Sequence, residues 1–338
     1  MLILGVETSC DDTGVAVVAD GSRVLANLVS SQIEHAAYGG VVPEIAARKH
    51  LENLPWLLPR ALELADIELA EIEAIAVTRG PGLIGALLCG WCAARGLAWA
   101  TGVPYVGVHH LAAHVHGALM PALAAGERIS YPLLALVVSG GHTALYRIAG
   151  PSRFQLLGQT RDDAAGEAFD KVASLLGLGF PGGPAIDRLA SSGDPEAITL
   201  PRSNLGLEFT FSGLKTAVRR EALARSLRPG TPEDPVVRDL VASFQAAVVQ
   251  QLVATTRRAL QRHRVDGLAL AGGVAANRRL RAEFAELASA EGLPLYLSTP
   301  ELATDNAAMI AGAAYTRLRQ GESDPWDLPA LASWPLGE

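Results

Sequence analysis

Four short apolar runs stand out along the chain, at residues 2–6, 74–77, 133–138 and 267–270. Each reads as a strand. Two of them predict hairpins. Residues 2–6 pass through the polar segment 7–13 into a second strand at 14–18, and residues 133–138 pass through Ser139-Gly140-Gly141-His142 into 143–148. The other two run into glycine and then a helix. Residues 74–77 lead through Arg79-Gly80-Pro81-Gly82 to a helix from Leu83, and 267–270 lead through Ala271-Gly272-Gly273 to a helix from about Val274. Between hairpin and glycine unit each half carries apolar residues at helical spacing, over 44–64 and 240–263. The same order twice predicts a duplicated α/β fold, with one half at 1–118 and the other at 119–338.

Composition narrows the class. A chain of 338 residues suggests about two domains at roughly 150 residues each. With 49% apolar and 19% charged residues it can build a sizeable core, which excludes a disordered or low-complexity chain. The most apolar stretch, 86–99, carries Arg95 and is broken by Gly90 and Gly96, so no membrane span is expected. The first residues lack a basic n-region and a cleavage site, so no leader is expected either. Three cysteines make no disulfide framework and point to a reducing, cytoplasmic setting. The net charge of −7 argues against a strong stand-alone nucleic-acid binder. Basic residues come only in small groups, such as Arg48-Lys49, Arg219-Arg220, Arg257-Arg258 and Arg278-Arg279 with Arg281, which leaves room for RNA contact completed by other subunits.

Hairpin-first halves of this kind resemble the actin, sugar kinase and Hsp70 superfamily (the ASKHA fold). That resemblance implies two lobes with a nucleotide in the cleft between them, its phosphates cradled by the hairpin turns. Glycine suits such turns because backbone N–H groups can then approach a phosphate closely. The glycine units would place helix N-termini near the same ligand.

The densest chemistry is His109-His110-Leu111-Ala112-Ala113-His114-Val115-His116, half of the eight histidines in the chain. On a helix, His110 and His114 share a face and can ligate one ion, while His109 and His116 point elsewhere. Leu111 stands where a zinc protease carries its glutamate base, so a protease mechanism is disfavoured. A third ligand must come from elsewhere. Thr304-Asp305-Asn306 follows a strand at 295–297 and opens a helix, where Thr304 or Asp305 could equally be an ordinary N-cap. Two histidines and one carboxylate would suit Fe(II) or Zn(II) and leave positions open for substrate. Cys89-Gly90-Trp91-Cys92 has no second pair or nearby histidine and reads as packing.

At these residues the chain closely resembles the tRNA N6-adenosine threonylcarbamoyltransferase family in its bacterial form, once misnamed as glycoproteases. The resemblance runs from about residue 4 to 310. It rests on Gly5-Val-Glu-Thr-Ser-Cys-Asp-Asp-Thr-Gly14, Tyr38-Gly-Gly-Val-Val-Pro-Glu44, Gly80-Pro-Gly-Leu-Ile-Gly-Ala-Leu87 and Val106-Gly-Val-His-His110. It continues through Val138-Ser-Gly-Gly-His-Thr143, Asp162-Asp-Ala-Ala-Gly-Glu-Ala-Phe-Asp-Lys171, Phe180-Pro-Gly-Gly-Pro184, Phe209-Thr-Phe-Ser-Gly-Leu-Lys-Thr216, Ala271-Gly-Gly-Val-Ala-Ala-Asn277 and Thr304-Asp-Asn-Ala-Ala-Met-Ile310. Two positions depart from the family pattern: Ala112-Ala113 stands for Glu-Gly, and Ala303 for Cys.

The resemblance implies one divalent metal per subunit on His110, His114 and Asp305, with iron typical of the bacterial branch and zinc the alternative. It implies adenylate binding by Val137, Val138, Ser139, Gly140, Gly141, Asp170, Gly183, Asp187 and Asn277. The implied reaction moves a threonylcarbamoyl group from threonylcarbamoyl-AMP to N6 of the adenosine 3′ of the anticodon in tRNAs reading ANN codons. Asp11, in the first hairpin turn, is the candidate for orienting or deprotonating the attacking amine, against the plainer role of a turn-forming Asp. Implied partners are tRNA, a shorter non-catalytic paralogue (TsaB-like) and a small P-loop ATPase (TsaE-like). Rival readings are a small-molecule kinase on the same fold, a non-catalytic scaffold and a metalloprotease.

Overall fold

A computed structural model describes residues 1–38 and 40–337. In chain order the first elements are β1 (Leu2–Glu7), β2 (Asp12–Ala19), β3 (Arg23–Ser31), α1 (Pro43–Ala65), β4 (Ala74–Gly80), α2 (Ile84–Thr101), β5 (Tyr105–His109) and α3 (His110–Ala124). There follow β6 (Leu133–Val138), β7 (Thr143–Gly150), β8 (Arg153–Gln159), α4 (Ala165–Leu175), α5 (Gly182–Ala190), α6 (Ser212–Ala224), α7 (Pro235–Leu260), β9 (Gly267–Ala271), α8 (Arg278–Glu291) and β10 (Leu295–Leu297). The short α9 (Pro300–Ala303) and α10 (Ala307–Arg319) close the regular structure.

The strands form two five-stranded sheets, ordered β3-β2-β1-β4-β5 and β10-β9-β6-β7-β8. Read from the opposite end, the second order is the first again, so the duplication is literal. In each sheet the hairpin strands pair antiparallel, β1 with β2 and β6 with β7. The first hairpin strand pairs parallel with the strand of the glycine unit, β1 with β4 and β6 with β9. This is the duplicated α/β arrangement of the actin-like superfamily.

The continuous apolar runs are explained by two-sided burial. One face of the first sheet, with Ile3, Val18, Ala76 and Val106, packs on α3 and α10 through Met120, Met309 and Ile310. The other, with Leu4, Val6, Val17 and Val77, packs on α1 and α2 through Leu54, Leu57, Leu87 and Trp91. Pro43 sits in the first turn of α1, where its missing N–H costs nothing, and Asp66 in the left-handed conformation stops that helix. In the second sheet Leu134, Leu136 and Val138 are fully buried, and Phe169 of α4 meets Phe244 of α7 edge to face at 5.5 Å. Among the described residues two helices, α2 and α7, have the length and apolar content of a membrane span; α7 is two-thirds buried within the protein, and α2 presses Leu87, Trp91 and Ala94 into the core.

The chain divides into two units, 1–129 with 297–338, and 130–296. The sequence pattern places the halves at 1–118 and 119–338. The difference is α10, which packs on β1, β2, β4 and α3 of the first unit. Its apolar residues, Ala307–Ile310 among them, mark it as buried but carry no sign of which sheet they cover. The boundary near 118 moves because α3 runs on to Ala124 before the breaker-rich loop begins. A second difference lies after β9. Gly272 takes a positive φ of 91° into a single 3-10 turn, and the α-helix starts only at Arg278, capped by the Asn277 side chain, which accepts from the Leu280 N–H at 3.0 Å.

Candidate metal and substrate site

In the first unit, β5 ends at His109 and α3 begins at His110 without a loop. His109 caps the helix, accepting the Leu111 N–H through Nδ1 and donating from Nε2 to the Trp334 carbonyl at 2.8 Å, so it is turned away from its neighbour's task. His116 is likewise committed, to the Gly21 carbonyl at 2.8 Å. His110 and His114 lie on one face as the i, i+4 spacing requires, with ring centroids 4.6 Å apart.

Asp305 reaches them from the start of α10. His114 Nε2 stands 3.1 Å from Asp305 Oδ1, and His110 Nε2 stands 3.5 Å from the same atom. One ligating atom from each of the three falls within 4.8 Å of the others. The N-cap of α10 is neither Thr304 nor Asp305 but Asn306, whose side chain accepts from the Met309 N–H at 3.0 Å and donates to the Thr304 carbonyl at 2.8 Å. That leaves the Asp305 carboxylate free for the histidines.

Behind His110 lies a residue to which the sequence pattern assigns no role. Glu7 closes β1 and is fully buried. Its carboxylate accepts from the Ser9 N–H, from the Thr78 hydroxyl at 2.5 Å and from His110 Nδ1 at 3.2 Å. The only signal in the sequence is an acidic residue at the end of an otherwise apolar strand. With Nδ1–H held by Glu7, Nε2 is the His110 nitrogen that faces Asp305 and that an ion would take once its proton is displaced. His114 has no such support: its Nδ1 is buried without a hydrogen-bond partner. Two imidazoles, one carboxylate and an orphaned buried nitrogen form a set that a divalent ion of the Zn(II) or Fe(II) kind fits.

The electrostatics agree. Burial opposes a charge on His110, but the Asp305 and Glu7 carboxylates outweigh it and push the ring up to about 10. Asp305 is also penalised by burial, yet His110 and His114 hold it well below the usual carboxylate range. Here a proton supplies the positive charge that an ion would supply in its place. Asp11 and Asp12 add to the negative field. Asp12 is pushed up to about 7, first by burial and then by Asp305, Asp11 and Glu7, with a hydrogen bond from Ser31 opposing. Burial, and then Asp11, raise the Cys10 thiol far above its ordinary value, which makes it an inert neighbour. Asp11 lies in the same turn, partly exposed.

The two departures from the family pattern do not disturb this cluster: Ala113 and Ala303 are fully buried small residues. Cys89 of α2 donates to the Ala47 carbonyl of α1 and to the Gly85 carbonyl of its own helix, as packing would have it.

In the second unit the expected adenylate residues form one connected patch. Val137 and Val138 end β6 fully buried, and Ser139 accepts the His142 N–H through its hydroxyl at 3.2 Å. A Cβ on Gly272 would lie 2.4 Å from the Val138 carbonyl, so only glycine lets the β9 turn close on the hairpin. The Gly166 N–H donates to the Ser139 carbonyl at 3.2 Å, which seats α4 on the same turn. On α4, Asp170 accepts the Gly182 N–H at 2.7 Å and ties in α5. Asp187 of α5 pairs with Arg278 at 2.7 Å, next to Asn277, whose amide donates to Gln245 of α7 at 3.2 Å. Gly140, Gly141, Gly183 and Gly273 border open space, room that a ligand can enter. Gln245 is the position here that the sequence does not single out, and Arg278 is read there only as part of a basic group, not as the partner of Asp187.

Comparison with known proteins now bears on these groups. The family model TsaD, described as tRNA N6-adenosine threonylcarbamoyltransferase, matches residues 23–312. The chain belongs to this family. Relatives of the same name include one from Geobacter sulfurreducens, 52% identical over 99% of this chain and 97% of that protein. Another, from Trichlorobacter lovleyi, is 50% identical over 100% of this chain and 98% of that protein. The chain is therefore a tRNA-modifying transferase, and the kinase, scaffold and protease readings are not favoured. The family carries a divalent metal site. Among solved structures, HypF of T. kodakarensis superposes with a TM-score of 0.61 at 15% identity, over 95% of this chain and 48% of that one. Component A of the (R)-2-hydroxyglutaryl-CoA dehydratase of Acidaminococcus fermentans gives 0.55 at 14%, over 94% and 99%. Those two likenesses speak for the fold alone.

Proposed function

We propose that this protein transfers the threonylcarbamoyl group of threonylcarbamoyl-AMP to N6 of the adenosine 3′ of the anticodon in tRNAs reading ANN codons. The observation that carries the reading is the convergence of His110, His114 and Asp305, in a chain of this family, within 4.8 Å. These three hold a divalent ion, iron by the habit of the bacterial branch, with zinc the alternative. When bound, the ion supplies Lewis-acid stabilisation of charge developing on the carbamoyl or phosphate oxygens.

The chain's own residues do the rest. Glu7 fixes the His110 tautomer, and Asn306 frees Asp305 by taking over the helix cap. The Ser139-Gly140-Gly141 turn, Asp170, Gly183, Asp187 and Asn277 bind the adenylate, through backbone N–H groups at glycines that border open space. N6 of the adenosine forms a bond to the carbamoyl carbon. The bond from that carbon to the phosphate oxygen breaks, its electron pair leaves with AMP, and Asp11 accepts the amine proton. No covalent enzyme intermediate is needed, because the donor is already activated. Such work places the protein in the cytoplasm, alongside a shorter paralogue and a small P-loop ATPase.

The test is incubation with partners, threonylcarbamoyl-AMP and unmodified tRNA, followed by nucleoside analysis for threonylcarbamoyladenosine. His110→Ala should lose the ion and slow single-turnover transfer by at least two orders of magnitude. Unchanged chemistry in that variant would take the ion out of the mechanism.

A further inference from the structure

The second unit is electrically unlike the rest of the chain. Residues 130–296 carry 19 Lys and Arg against 16 Asp and Glu, whereas the remainder carries 9 against 19. The acidic total thus conceals a unit of positive sign. Its positive charge gathers at the C-terminal end of α7: between Asp239 and Asp266 the chain holds Arg257, Arg258, Arg262 and Arg264 and no carboxylate.

A cavity of about 410 Å³ opens there, with Arg202, Arg257 and Arg258 in its lining beside the amides of Gln250, Gln251 and Gln261. Its wall is built. Ser203 donates to Gln251 at 3.0 Å and Arg258 donates to the Gly206 carbonyl at 2.7 Å, which fastens the 202–206 segment to the helix. Gln251 is held in turn by its own donation to the Thr210 carbonyl at 3.0 Å. Glu283 also lines the cavity, but Arg279 neutralises it at 2.8 Å. Among the described residues the guanidinium groups of Arg202 and Arg257 make no hydrogen bond or ion pair, and both residues are exposed. The lining runs along α7 from Ala247 to Gln261, and its Arg257 lies twelve residues from Gln245, the partner of Asn277, or about 18 Å at the rise of an α-helix.

Resting on the transferase reading above, we propose that this arginine-lined cavity grips the sugar–phosphate backbone of the tRNA, at a distance from the adenylate patch of the same unit. Guanidinium forks match phosphate oxygens bidentately, and amides add donors for phosphate and ribose oxygens. Charge also favours a polyanion such as RNA, because the run from residue 240 to 265 holds four arginines and no carboxylate, and the one carboxylate in the lining, Glu283, is paired with Arg279. A site for a lone nucleotide would want a backbone N–H cradle, and α7 here presents its C-terminal end.

The experiment is tRNA binding by fluorescence anisotropy over a range of salt, using the full chain alone and with its partners, in parallel with transfer kinetics. Arg202→Glu with Arg257→Glu should weaken tRNA binding at least tenfold and flatten the salt slope by roughly 0.7–0.9 for each phosphate no longer neutralised. KM for tRNA should rise, while kcat and the KM for threonylcarbamoyl-AMP stay put. Arg202→Gln with Arg257→Gln should give the same pattern more weakly, and serves should the double glutamate fail to fold. Unchanged tRNA affinity and salt slope in a folded variant would overturn the proposal. So would an equal loss of inorganic phosphate or AMP binding, which marks a small-anion pocket, or a loss of partner assembly with tRNA binding intact. If the parent protein modifies tRNA while the variant is indistinguishable from it, only this surface falls; if the parent neither binds nor modifies tRNA, the transferase reading falls with it.

Discussion

Replacing Glu7 with Gln isolates what the buried carboxylate does for the ion site. Gln keeps the shape but has one acceptor and one NH2 where Glu7 has two acceptors. Those acceptors serve the Ser9 N–H on one side, and the Thr78 hydroxyl with His110 Nδ1 on the other. With NH2 turned to Ser9 the amide sets a donor against the Ser9 N–H; turned the other way it meets the Thr78 hydroxyl, which can rotate to accept, and the His110 ring. If NH2 faces His110, the ring is driven to carry its proton on Nε2, the nitrogen 3.5 Å from Asp305 that should be a lone pair. Loss of a group supporting a ligating histidine costs about 10–100-fold in ion affinity, or roughly 1.4–2.8 kcal/mol. Chelator competition, with metal analysis of the dialysed protein, should show that drop for Glu7→Gln, and a smaller one for Glu7→Asp, which keeps the acceptors but shortens the reach. A separate stability loss of about 1–3 kcal/mol is expected from the unsatisfied donors and should appear with or without the ion. A folded Glu7→Gln variant that retains the ion as the parent does would refute the reasoning.

Three further outcomes follow from named contacts. Asn306→Ala removes the cap of α10 and should cost about 1 kcal/mol in thermal unfolding, with weaker ion binding because the chain beside Asp305 loses its tie to Thr304; a loss of ion with an unchanged melt would contradict the capping role. Gly5→Ala puts a Cβ 2.3 Å from the Ala307 carbonyl, so α10 must lift, and about 1–3 kcal/mol or more of stability should go together with ion affinity; a normal melting temperature would show that the helix can shift freely. Asp12, pushed up to about 7 by burial and its acidic neighbours, binds a proton in the folded state that it has lost in the unfolded chain, so the native state loses stability as pH rises towards 7. In ion-free protein Asp12→Asn should therefore raise the melting temperature increasingly from pH 4 to 7 and level off above, with a stability gain on the order of 4 kcal/mol at the plateau; an equal gain at pH 5 and pH 8 would rule this out.

The repeated hairpin and glycine units were legible because strands covered on both faces by helices leave nearly unbroken apolar runs, as at Leu133–Val138. His110 and His114 were legible because helical spacing puts them on one face, and that placement needs no knowledge of the tertiary fold. Glu7 escaped because its partners, Thr78 and His110, are 71 and 103 residues away. The late start of α8 escaped because the choice between a 3-10 turn and an α-helix at Gly273–Ala276 depends on the close approach of Gly272 to Val138, again a long-range contact. The segment after α10 carries none of the motifs read from the sequence. Yet Leu331 donates to the Arg79 carbonyl, and Trp334 lies under the Arg79 guanidinium at 5.0 Å, contacts to which no local pattern points.

The placement of the three candidate ligands follows from the duplication itself. In each copy the fifth strand, β5 or β10, runs out into a helical segment, α3 in the first and α9 with α10 in the second. The first exit supplies two imidazoles and the second supplies the carboxylate. They meet because α10 crosses to the sheet of the first unit and packs beside α3, through Ala307, Ala308 and Met309. Neither exit alone is a workable site. Without Asp305, burial of the His110 ring is opposed by Glu7 alone. Without the histidines, Asp305 is a carboxylate set among acidic neighbours. Docking of α10 and assembly of the ion site are thus one event. Ion binding should accordingly protect the backbone amides of α10 from hydrogen exchange more than those of α1, on the opposite face of the same sheet; equal protection of both helices would break the link between them.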